Sequence, residues 1–162
     1  MANWSGHAQH PLNPSPQPSR LTANAPGEDI AENKSMRGGY VLREASAAAE
    51  IVLMATGSEV MIAEEARQQL EASGHPTRLV SVPCMDILIH QDADYRASLL
   101  AGAKSIVVVE AGIEMGWAHV AGPDFSFVGM RSFGASAPAD ALFQHFGITA
   151  EAVTKAALAK LD

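Results

Sequence analysis

Apolar and polar positions are arranged differently in different parts of the chain. Residues 1 to about 29 show no apolar period. Ile51-Val52-Leu53-Met54-Ala55 is a continuous apolar run, as expected of a strand buried on both faces of a parallel sheet. Thr56-Gly57-Ser58-Glu59 follows, with Thr56 and Glu59 at capping-box spacing. Ile62, Ala63, Ala66 and Leu70 then share one helical face, with Glu64, Glu65, Arg67 and Gln68 mostly off it, and Gly74 and Pro76 stop the helix.

The same alternation continues downstream. Thr77–Val82 reads as a strand ended by Pro83. Met85–Leu88 has the length of a helical turn, and Asp92–Leu100 reads as a short helix with a carboxylate at its positive end. Ser105–Glu110 is β-branched and unbroken, which predicts an interior strand. Phe125–Gly129 alternates as a strand. Pro138 can occupy the first turn of a helix carrying Leu142, Phe143 and Phe146, and Thr149 caps a last helix. Upstream, Gly39–Glu44 has a short strand's composition. It lies too close to Ile51 for a parallel crossover, so the two would pair antiparallel, if they pair at all. The sum is an α/β fold: an open, mostly parallel five-stranded sheet with one antiparallel strand and helices on both faces.

Composition adds a boundary. Five of nine prolines fall between Pro11 and Pro26. Residues 1–36 therefore read as a flexible Pro-rich tail or linker, and 37–162 as the folded domain. The 48% hydrophobic content is ample for one core in 162 residues. A net charge of −7 argues against nucleic acid and anionic membrane as partners. Cys84 is the single cysteine, which excludes an internal disulfide and fits a reducing cytoplasm. No apolar run approaches the ~20 residues of a membrane span, and no secretory leader is evident at Met1.

Candidate chemistry is sparse. Ligands of open α/β sheets sit beyond the carboxyl ends of the strands. The turns there place Thr56, Gly57, Ser58, Glu110 and Gly112 as a possible anion or small-ligand site. No G-x-G-x-x-G or lysine-bearing phosphate loop accompanies them. Cys84 has no histidine at a spacing that suggests a dyad, and it reads as a small, partly buried thiol. Glu110 and Glu114 could form an acid/base pair, but charges at a strand end also serve packing. His7 and His10 lie in the tail, and His75, His90, His119 and His145 are scattered, so no metal set is expected. Trp117 reads as a core or interface anchor. The residues thus give a fold and no reaction.

Four stretches resemble one family. Arg37-Gly38-Gly39-Tyr40-Val41-Leu42, Ala55-Thr56-Gly57-Ser58-Glu59-Val60, Val109-Glu110-Ala111-Gly112 with Gly116-Trp117, and Phe133-Gly134-Ala135-Ser136-Ala137-Pro138 are similar to the C-terminal domain of transketolase. The last stretch, with Phe146-Gly147-Ile148-Thr149, is the most specific. The resemblance implies a domain of a dimeric enzyme that moves a two-carbon ketol unit between sugar phosphates in the pentose phosphate and Calvin cycles. The complete enzyme uses thiamine diphosphate and magnesium. The family's catalytic residues lie in two other domains, so the resemblance transfers no catalytic, cofactor or metal residue to this chain. It implies a non-catalytic role in assembly or regulation, through self-association or contact with the other transketolase domains. Two alternatives stand beside it: a subunit of a split transketolase active only with a partner chain, or a small-ligand or nucleotide-binding regulator. The chain departs from the family at Pro83-Cys84-Met85-Asp86 and at Ile113-Glu114.

Overall fold

The computed structural model describes residues 33–161. Most of the Pro-rich tail, with His7 and His10, lies outside the described residues.

Five strands form one sheet: β1 (Tyr40–Arg43), β2 (Ile51–Ala55), β3 (Thr77–Ser81), β4 (Ser105–Glu110) and β5 (Ser126–Gly129), in the order β1-β3-β2-β4-β5. The pairs β2–β3, β2–β4 and β4–β5 are parallel, and β1–β3 is antiparallel. The expected fold class is observed. One pairing differs. β1 runs antiparallel as expected, but along β3 rather than β2, with Tyr40 opposite Ser81. Both edges of β2 are taken by parallel neighbours, which leaves the free edge of β3 for the short strand.

The helices are α1 (Glu59–Ala72), α2 (Met85–Ile89), α3 (Ala93–Leu100), α4 (Ala118–Ala121), α5 (Ala139–Phe146) and α6 (Ala150–Leu158). A 3-10 turn at Lys34–Arg37 precedes β1. Strand alternation divides the core in two. Ile51, Leu53, Ala55, Leu79, Val107 and Val109 face α1 and α6. Val52, Met54, Val80 and Val108 face Leu88, Leu99 and Trp117 on the opposite side. β2 is buried at every position, which accounts for its unbroken apolar run.

Three local readings change. The capping box at Thr56 and Glu59 does not form. Ser58 occupies the cap position, its hydroxyl donates to Glu59 Oε1 at 2.9 Å, and Thr56 contributes its backbone carbonyl to the Glu59 amide. Glu64 is buried rather than turned to solvent. Arg67 clamps it with two hydrogen bonds of 2.7 and 2.9 Å and Gln68 adds a third, so a polar residue is carried on a core-facing position. Pro138 sits at the cap of α5, one residue before the first turn.

Candidate functional site

Three of the four parallel-strand exits, those of β2, β4 and β5, lie together at the carboxyl edge. Ala55 is paired with Val109, and Glu110 with Gly129, so Thr56, Glu110 and Met130 leave the sheet side by side. The sequence-predicted residues are thereby brought into one neighbourhood. Their polar groups have internal employment. The Ser58 hydroxyl is bonded to Glu59, and the Glu110 carboxylate accepts the indole N–H of Trp117, which is 1% exposed. The Gly112 carbonyl accepts from the Met130 amide at 2.8 Å. A Cβ on Gly112 would lie 3.1 Å from Glu110 Cδ, so the glycine lets the backbone pack against that carboxylate. Glu114 is exposed and makes no side-chain bond to Glu110, so the acid/base pairing is not assembled.

Cys84 caps the short α2, partly buried. Its amide donates to the Gly38 carbonyl at 3.0 Å. Gly38 has φ of +79°, and a Cβ there would come within 2.5 Å of the Cys84 carbonyl oxygen and closer still to the Leu88 nitrogen. The Arg-Gly-Gly-Tyr stretch is therefore a tight seat for α2. Arg37 lies 4.7 Å over the Tyr95 ring, and the Tyr95 hydroxyl donates to the Gly39 carbonyl at 2.7 Å. Among the histidines, His75 meets Glu50 at 3.5 Å, His90 bonds the Asp86 carbonyl, and His145 stands edge-on to Phe146.

Two charged clusters lie on the flanks. Lys104 at 2.6 Å and His75 hold the Glu50 carboxyl below its usual range. Burial pushes Glu64 up, but bonds from Arg67 and Gln68 outweigh it and leave the carboxyl lowered. Glu71 behaves alike: burial raises it, while the Ser46 hydroxyl and the Thr77 and Ser46 amides bring it below the ordinary value. The Glu50 and Glu71 contacts brace different segments, and those of Glu64 lie within α1.

Several apolar side chains that no sequence reading placed at the surface face water. Met36, Ile87, Ile113, Met115 and Phe133 are exposed, and all lie toward the carboxyl edge. Met36 belongs to the 3-10 turn that contacts α2, which carries Ile87. Ile113 and Met115 follow β4, and Phe133 follows β5. Residues 131–141 are exposed without interruption, with Phe133 at 99%. α5 has no fully buried residue, but Phe143 and Phe146 are half-buried and pack against the core on the α1–α6 side. Residues 131–141 form an exposed arm between β5 and the part of α5 that rests on that core.

A diphosphate bound through magnesium needs converging oxygen donors. Among the described residues no three His, Cys, Asp or Glu side chains converge on one point. The Glu110 carboxylate is already engaged by Trp117. These residues do not fit thiamine diphosphate and magnesium. No described helix is long and apolar enough to cross a membrane.

The family model described as "Transketolase-like TK C-terminal domain" matches residues 38–149. A transketolase of Cereibacter sphaeroides is 48% identical over 126 residues, covering 78% of this chain and 19% of the relative. A transketolase of Sinorhizobium medicae is 48% identical over 128 residues, covering 78% of this chain and 18% of the relative. The chain thus spans about a fifth of the length of these relatives. Among solved structures, transketolase from Leishmania mexicana superposes with a TM-score of 0.68 at 35% identity, over 77% of this chain and 18% of that one. A chain of a split-gene transketolase, described as an inactive β4 tetramer, shares the fold at 24% identity, with a TM-score of 0.63 over 76% of this chain and 42% of its own. The family model spans well over half of this chain, and the chain belongs to the transketolase C-terminal domain family.

Proposed function

We propose that this chain is a non-catalytic assembly domain of a transketolase. It docks through its carboxyl edge and the exposed 131–141 arm onto the catalytic portion that the longer relatives carry. The observation that supports this most directly is the arm itself. It contains the family-like Phe-Gly-Ala-Ser-Ala-Pro stretch, yet residues 131–141 bury nothing and Phe133 is 99% exposed. A water-facing phenyl ring contributes nothing to folding here, whereas burying it in a complex is worth about 1.5–3 kcal/mol. Four further exposed apolar side chains stand toward the same edge, and exposed apolar surface concentrated on one side supports a contact role.

The polar chemistry of the edge agrees with that role. Its carboxylates and hydroxyl are spent on internal bonds that fix the shape of the turns. In the complete enzyme the ketol transfer, with thiamine diphosphate and magnesium, belongs to the other domains. Mixing the purified chain with a transketolase lacking its matching C-terminal segment tests the proposal. The expected result is a stable complex by size-exclusion chromatography. Separate elution at micromolar concentrations of both chains would overturn it.

A further inference from the structure

A second feature lies at the root of the arm. A cleft of about 350 Å³ opens beyond the carboxyl end of β5. Arg131, Ser132 and His145 supply its polar wall, and Phe127 and Phe146 its apolar one. No acidic side chain lines it, in a chain whose net charge is −7. Among the described residues, the Arg131 guanidinium has no hydrogen bond or ion pair. His145 is oriented by its edge-on contact with Phe146, with ring centroids 4.9 Å apart.

We propose that this cleft binds a small phosphomonoester. A guanidinium fork, an imidazole and the Ser132 hydroxyl, whose present contact with the Phe133 carbonyl is a long 3.5 Å, are three donor groups contributed by two elements, the β5 exit and the end of α5. A tetrahedral phosphate offers three terminal oxygens to such a set. A planar carboxylate offers two in one plane and leaves a donor idle. The volume lies at the low end of the roughly 300–1,000 Å³ typical of ligand pockets, which suits a phosphorylated body of a few carbons and excludes a dinucleotide. The aromatic wall packs against that body while the oxygens face Arg131. Arg131 and His145 are 14 positions apart in sequence and form no motif, so the site arises from the fold alone.

Isothermal titration of the full chain with inorganic phosphate and glycerol 3-phosphate, with glycerol as the neutral control, tests this. The expected result is saturable one-to-one binding of both phosphates in about the millimolar range and none of glycerol. Arg131→Gln is expected to weaken binding by about tenfold or more, the usual cost of losing a charge-assisted contact. His145→Gln is expected to weaken it by a smaller factor. Both side chains are exposed, so circular dichroism should show both variants folded. Absence of saturable phosphate binding, or unchanged affinity in Arg131→Gln, would overturn the proposal. The isolated chain suffices, so a failure here leaves the docking of the arm untouched, and the reverse also holds.

Discussion

The indole N–H of Trp117 donates to the carboxylate of Glu110, joining the end of β4 to the buried residue that precedes α4. Glu110 also packs under Gly112, whose carbonyl holds the Met130 amide at the root of the arm. One ion-assisted bond therefore sets the path of two strand exits. Trp117→Ala removes both the bond and a large core side chain. It is expected to cost about 3–5 kcal/mol in urea unfolding. Trp117→Phe keeps most of the volume and strands the carboxylate, for an expected loss of about 1–3 kcal/mol. Equal midpoints for Trp117→Phe and the parent would show that the bond contributes nothing.

Gly38 and Gly74 both have positive φ, +79° and +88°, but their surroundings differ. A Cβ at Gly74 meets nothing within 4 Å, whereas at Gly38 it collides with the Cys84 and Leu88 backbone. Gly74→Ala should cost only the left-handed conformational penalty, about 1–2 kcal/mol. Gly38→Ala should cost distinctly more, because α2 must move. Thermal unfolding of the two variants side by side measures the difference, and equal losses would contradict the tight seat.

Glu64 and Glu71 both titrate lower in the folded chain than in the unfolded one. Their contribution to stability is complete above the unfolded glutamate value of about 4.3 and is lost as pH falls through the folded values. Glu64→Gln should lower stability at neutral pH by about 1 kcal/mol, a modest figure because water screens part of the pair. The same variant should flatten the acid limb of the stability curve below about pH 4.5. An acid limb as steep as the parent's would assign the loss to other groups.

Thiamine diphosphate with magnesium is expected to give no binding heat with the isolated chain, since the carboxyl-edge carboxylate is committed to Trp117. Calorimetry reporting micromolar affinity would refute the non-catalytic assignment.

Much of the fold was legible in the amino-acid order. The run Ile51–Ala55 is buried at every position, and Ser105–Glu110 lies inside the sheet between β2 and β5, as its β-branched composition indicates. Non-local choices were not legible. Tyr40–Arg43 could be read as an antiparallel strand, but its partner depends on which sheet edge is free, and that is settled by β3 and β4. Glu64 counts as polar in any periodicity. Its burial depends on Arg67 and Gln68, which are equally polar in sequence. At the carboxyl edge the turns at Thr56 and Glu110 stood out because they follow apolar strand runs, where ligands of open α/β sheets sit. The cleft at Arg131 and His145 did not, because no spacing rule joins a strand exit to the end of the following helix. The exposure of 131–141 was not legible because periodicity finds the apolar face of α5, which does pack through Phe143 and Phe146, and says nothing of the segment before it.

Phe133 provides the most direct test of assembly. Its side chain is almost wholly in water, so Phe133→Ala should leave the unfolding midpoint of the isolated chain within about 0.5 kcal/mol of the parent. Sedimentation velocity of the parent and of Phe133→Ala, each mixed with a transketolase lacking its C-terminal segment, then reads the docking. The account predicts a complex with the parent and at least about tenfold weaker association with the variant. Equal association of the two, or no complex with either, would contradict it.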